Sequence, residues 1–150
     1  MSGEHVAEQI IAAVETKLAL VGTVHRVPID TVDLSGLPAI FLSEIEDETV
    51  QEIGRGPLAE THKMQFEVFG AVVATSGFSA AAGVLRANIE KALMEDSTDL
   101  TLSGLCRPGL RRPVAAFRVD SEALQKPVGG WALRFVCQYQ LNTAAPATPI

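Results

Sequence analysis

Apolar positions in the first segment of the chain recur with a helical period. Val6, Ile10, Val14 and Leu18 fall four residues apart with Ile11 beside them, which makes one stripe aimed at a core. Ser2 is placed to cap this helix, Glu4 suits its positive end, and Gly22 offers a left-handed stop. Thr23 to Pro28 reads as a short strand and Pro28 to Gly36 as a polar connection. Leu37 to Leu42 is a nearly continuous apolar run, the mark of a buried strand. Pro38 belongs at its start or on an edge, because proline cannot donate to a ladder. From Ser43 to Pro57 the pattern changes. Glu44, Glu46, Asp47, Glu48 and Glu52 crowd together, and the stretch finishes Gly54-Arg55-Gly56-Pro57. A surface loop or an extended hairpin arm is predicted there.

Strand character returns from Thr61 to Ala74. Met64, Phe66, Val68 and Val72 share one face, while Gln65 and Glu67 begin the other, which turns apolar at Phe69. Gly77 and Ser79 open a second helix, with Ser79 as its cap. Ala81, Leu85, Ile89 and Leu93 form the predicted stripe, Val84 and Ala92 lie alongside, and Arg86, Glu90, Lys91 and Glu95 point outward. Asp96 to Gly104 is a turn-rich connector, Val114 to Val119 a strand, and Ser121 to Gly130 a loop. The clearest strand is Trp131 to Leu141. Trp131, Leu133, Phe135, Cys137, Tyr139 and Leu141 alternate with Ala132, Arg134, Val136, Gln138 and Gln140. Thr143 to Ile150, rich in Ala and Pro, is expected to fray. The order α-β-β-β-α-β-β predicts an α+β fold, two helices packed on a mostly antiparallel mixed sheet. It forms a single domain over residues 1–142, followed by a flexible tail at 143–150.

Composition supports a single globular unit. The chain has 150 residues, 47% hydrophobic and 20% charged, close to the globular average. Lys and Arg number 12 against 18 Asp and Glu, a net charge of -6. A duplex-binding domain usually carries a basic surplus, so nucleic-acid binding is not the expected activity. Two cysteines do not make a disulfide scaffold. No basic region followed by an apolar run opens the chain, so no secretory signal is read. Val68 to Leu85 carries no charge over a length at the lower limit for a spanning helix. Thr75, Ser76, Gly77 and Ser79 interrupt it, and a strand, a turn and a helix start explain it better than a membrane span.

Candidate chemistry is sparse. His5, His25 and His62 do not stand at helical spacing from one another or from a cysteine, so no short metal motif exists. His5 and Glu8 share a helix face as a solvated pair. Cys137 lies on the apolar face of the last strand, where cysteine acts as a small hydrophobe. Cys106 stands beside Arg107, whose charge would lower a thiol pKa, but no local histidine serves as a base. Gly54-Arg55-Gly56 lacks the helix start of a phosphate loop and reads as a turn. No catalytic residue, cofactor or metal ligand is assigned. The basic cluster Arg107, Arg111, Arg112 and Arg118 has Phe117 as its one interleaved aromatic. It reads as a solvated loop, as a phosphate site, or as the counterpart of Glu44, Glu46, Asp47 and Glu48. In a ring of identical subunits a head-to-tail interface joins two different patches, and opposite charges can set its register.

The succession of segments resembles a known family. A helix ending Leu20-Val21-Gly22 precedes Leu37-Pro38-Ala39-Ile40-Phe41-Leu42, a charged stretch, and a strand ending Phe69-Gly70-Ala71-Val72-Val73-Ala74. An alanine-rich helix closes Ile89-Glu90-Lys91-Ala92-Leu93-Met94-Glu95-Asp96, followed by Leu102-Ser103-Gly104-Leu105 and a last strand closing Tyr139-Gln140-Leu141-Asn142-Thr143. Over nearly its whole length the chain resembles the tail terminators, minor tail proteins of long-tailed bacteriophages and prophages. The resemblance implies an α+β subunit of a hexameric ring that caps the tail tube, ends its polymerisation and offers the head-attachment surface. It implies partners in further copies of the chain, the tube protein and the head-tail connector. DNA passes without specific binding, no membrane or cofactor takes part, and there is no enzymatic activity. The implied location is the bacterial cytoplasm during assembly and then the virion tail. The family carries no fixed functional motif, so no site residue is transferred. If the acidic residues line the channel, they would repel passing phosphates. A neck or head-completion connector protein is the neighbouring alternative. A small enzyme or ligand-binding domain is the alternative of another class, and it would need a concave pocket with convergent polar groups.

Overall fold

The computed structural model describes residues 5–27, 34–53, 59–75, 77–95, 100–106, 109–120, 128–142 and 145–149. The first helix, α1 (Val6–Leu18), buries Val6, Ile10, Ile11, Val14 and Leu18, the stripe its periodicity predicts. Its cap is His5, whose Nδ1 accepts from the Ala7 amide at 3.0 Å. Ser2, the expected cap, and Glu4, expected at the helix's positive end, lie outside the described residues. Gly22 does not act as a left-handed stop. Ala19 caps the helix in right-handed geometry, and the Val21 amide closes a tight turn onto the Leu18 carbonyl at 2.9 Å.

Six strands form one mixed sheet: β1 (Val24–His25), β2 (Ala39–Ile53), β3 (Ala59–Val73), β4 (Val114–Asp120), β5 (Val128–Asn142) and β6 (Ala145–Pro149). They are arranged β1-β2-β3-β5-β4, and β6 pairs with the far end of β5. β1 is parallel to β2 and the remaining pairs are antiparallel. With the helices gathered against this sheet, the fold is α+β in the expected order.

Of the two readings of the acidic stretch, loop or extended hairpin arm, the structure has the hairpin arm. β2 runs through it to Ile53, paired residue by residue with β3. Glutamate is a poor strand former, but a long partner strand with its own alternation overrides that preference. A bulge between Glu44 and Glu46 alters the phase of the arm. Leu42 lies opposite Val68 and Asp47 opposite Met64, so the β2 side carries one residue more. That extra residue turns Asp47 toward the helix-covered face.

The second helix, α2 (Phe78–Met94), starts at Gly77 in left-handed geometry, φ 76°, with no side-chain cap, so Ser79 does not serve as one. Its buried residues are Ala82, Ile89 and Leu93, with Leu85 half-buried, while Ala81 and Val84 face outward. The stripe is rotated at its start because α2 lies close over β3. A Cβ on Gly70 would stand 3.0 Å from both Ile89 and Leu85. The uncharged run 68–85 thus divides into strand, turn and helix. Among the described residues no helix is long and apolar enough to cross a membrane.

One core fills the space between helices and sheet. Met64, Phe66 and Val68 of β3 and Leu133, Phe135, Cys137, Tyr139 and Leu141 of β5 meet the stripes of α1 and α2. Phe66 and Phe135 stack at 5.3 Å between centroids. Leu102, Cys106 and Leu110 close one side. A second, small cluster of Ala39, Phe41, Ala71 and Val128, with Phe69 and Leu37 against it, lies on the opposite face. The expected frayed tail holds β6. β5 is longer than β4 and leaves part of its edge open, and the Gln9 Nε2 donates to the Ala147 carbonyl at 2.6 Å. Pro146 and Pro149 are acceptable there because the outer side of an edge strand needs no donors.

Candidate functional site

Two charged regions were candidates from the sequence, and the sheet separates them. The acidic residues lie on β2 and the basic ones beside β4, with β3 and β5 in between. Among the described residues none of the acidic candidates forms an ion pair with Arg111 or Arg112 inside one chain.

The four acidic candidates have three different environments. Glu44 receives Arg26, 3.2 Å away, and the same guanidinium reaches Glu8 at 3.4 Å and Glu15 at 3.5 Å. Partial burial and the nearby Glu8 carboxylate nevertheless push the Glu44 carboxyl above its ordinary range, with Arg26 opposing. Asp47 is held inward. One carboxylate oxygen faces His62 Nδ1 at 3.0 Å and the other accepts from the Tyr139 hydroxyl. Glu46 and Glu48 are exposed and make no ion pair among the described residues.

The residues around Asp47 form a cluster that local spacing does not reveal. His62 has Glu60 on its Nε2 at 2.8 Å, stacks on Tyr139 at 5.0 Å and meets His5 edge-on at 6.5 Å. Burial first, and the bond to Asp47 second, push the Tyr139 hydroxyl far above its ordinary range. The cluster joins α1, β2, β3 and β5 at one point. The alternation of β5 placed Tyr139 on the covered face, but nothing local indicated Asp47 as its acceptor. Among the described residues no group of three or more His, Cys, Asp or Glu is arranged to hold a metal ion.

On the other side, Arg111 and Arg112 are exposed and make no ion pair among the described residues. The Arg111 amide donates to the Val136 carbonyl at 3.1 Å, so the segment before β4 continues along the edge of β5. Arg107 lies outside the described residues, as does Gly54-Arg55-Gly56. Arg118 is committed elsewhere, forking onto Glu67 at 3.0 and 3.4 Å on the bare face, where Arg134 also reaches Glu67 at 3.8 Å. Val114, Ala116 and Ala132 line the shallow depression around this group. On the covered side Arg86 stands over Trp131 at 4.3 Å, and Phe117 lies between Phe78 and Trp131.

The cysteines are both free and buried. The Cys106 thiol donates to the Leu100 carbonyl at 3.6 Å; the neighbouring Cys137 holds the Cys106 thiol below its ordinary range, while Cys106 and burial raise Cys137. Cys137 is the neighbour that lowers Cys106 among the described residues; Arg107, to which the sequence pointed, lies outside them. The arrangement is an internal contact within the core.

No protein-family model matches the chain, and no curated protein matches it significantly.

Proposed function

We propose that this chain is a structural component of a long-tailed phage or prophage, a tail terminator that caps the tail tube as a ring, hexameric as in the family it resembles. The observation that carries the reading is the separation of uncompensated charge. Glu46 and Glu48 lie toward one side of the sheet order, and Arg111 and Arg112 toward the other. A closed ring of identical subunits needs two different complementary patches on each subunit. The α+β order is the second support, because it follows the succession of segments on which the resemblance rests. In this reading the protein works in the bacterial cytoplasm during assembly and then in the virion tail. It meets the tube protein on one side of the ring and the head-tail connector on the other. DNA passes through the ring without being specifically bound, and the protein is not an enzyme.

Electron microscopy of particles made without the protein tests the proposal. Overlong or ragged tubes are expected, and normal virions would overturn it. Tails of normal length lacking heads would instead select the neck-connector alternative.

A further inference from the structure

The sheet ends in two open edges. On one side β1 covers only Ile40 and Phe41, and the lane beside Glu44 to Ile53 has no partner strand among the described residues. On the other side, among the described residues, β4 pairs with β5 alone and its outer lane is open. Unpaired strand edges are templates for another strand. Each edge carries exposed apolar side chains. Val114 is 71%, Val119 56% and Phe117 42% exposed on β4, and Ile45 is 41% exposed on β2. The unpaired acids Glu46 and Glu48 stand on the β2 edge. The unpaired bases Arg111 and Arg112 lead into the β4 edge.

We propose that the β4 edge of one copy pairs with the β2 edge of the next, so that the sheet continues from subunit to subunit. This rests on the ring reading and names its interface. The polarity is fixed by the fold. β2, β3, β5 and β4 are each antiparallel to the next, so β4 runs opposite to β2. A neighbour placed with its helices on the same side of the sheet therefore presents β2 antiparallel to β4. Charge selects this pairing over the alternatives. Two β2 edges would oppose carboxylates and two β4 edges would oppose guanidiniums, whereas the mixed pair joins opposite signs. The bulges at Glu44/Glu46 and Thr49/Gln51 further blunt β2 against indiscriminate pairing. The contact is head-to-tail, and each copy keeps one edge of each kind for the next neighbour.

The test combines hydrodynamic mass with backbone hydrogen exchange on the full chain. At low salt and high concentration, oligomers larger than a dimer are expected, with amides of 114–119 and 44–48 newly protected. The double variant Arg111→Glu with Arg112→Glu, and separately Glu46→Lys with Glu48→Lys, should each associate roughly tenfold more weakly or worse, since like charges then meet. An equimolar mixture of the two variants should recover association, because each reversed edge finds an opposite one. Recovery also shows that both variants are folded. Variants that assemble like wild type, with β4 amides exchanging freely, overturn the edge pairing and leave the ring to another surface. A twofold dimer or a persistent monomer in the wild type also overturns it. The terminator reading itself falls only on tail morphology, so the two failures are distinguishable.

Discussion

The two faces of this sheet are built from the same strands and hold different kinds of interaction. The helix-covered face is dry, with Phe66, Val68, Leu133 and Phe135 fully buried. Its polar contacts lie at the margins, among them the corner around Asp47, His62 and Tyr139 and the Arg26 pairs with Glu8, Glu15 and Glu44. The other face carries one small apolar cluster and a group in which the half-exposed Arg118 and Arg134 reach the largely covered Glu67. Burial of apolar area scales with what is covered, and exposed ion pairs are screened by water. The covered face therefore supplies most of the stability, and the described residues leave the other face and the two edges largely open.

The sharpest way to break this contrast is a cavity under the helices. Phe135→Ala removes the partner of Phe66 and should cost about 3–5 kcal/mol in chemical denaturation. A loss below about 1 kcal/mol would mean that the covered face is loosely packed. Next is the polar corner. Tyr139→Phe keeps the ring on His62 but takes away the hydroxyl that Asp47 accepts, and should cost about 2 kcal/mol. An unchanged denaturation midpoint would show that water replaces the bond without loss. On the bare face, Arg118→Ala should cost less than about 1 kcal/mol, because its guanidinium is half exposed and Arg134 still reaches Glu67. A larger loss would erase the contrast between faces.

The smallest effect is a pH slope from Glu44. Its carboxyl is raised in the folded state by burial and by Glu8, so the protonated form is the one that folding favours. That contribution is complete below the ordinary glutamate value of about 4.3 and is lost as pH rises through the folded value. Glu44→Gln should therefore gain relative to wild type across this interval in denaturant midpoints measured against pH. A gap that stays constant with pH would show that the Arg26 pair governs the site.

Legibility along the chain followed the range of the interactions. In α1 and β5 the period of apolar residues matches the geometry of burial, so Ile10, Val14, Leu133 and Phe135 could be placed from spacing alone. The start of α2 was read one position out, because alanines do not mark a face strongly. For the acidic stretch the sequence left a loop and an extended hairpin arm open, and pairing with β3 selects the hairpin arm. Its strand character comes from β3, which supplies the hydrogen-bond ladder, and Glu46 and Glu48 stand opposite Gln65 and Lys63 on the face away from the helices. Of the charged candidates, Glu46, Glu48, Arg111 and Arg112 remain uncommitted. Glu44 and Asp47 are drawn into internal contacts that the charge pattern gave no means of distinguishing.

By itself, the sequence determined the helices, the dominant strands and the segregation of acidic from basic stretches, because period and charge are written in neighbouring residues. Tertiary structure alone decided that Tyr139 meets Asp47 across 92 positions and that Gln9 secures the strand at Ala147 across 138. It also decided that the two charged stretches occupy opposite edges of one sheet. Such contacts depend on strand order and on a single bulge in register, which are settled only when distant segments compete for the same partner strand.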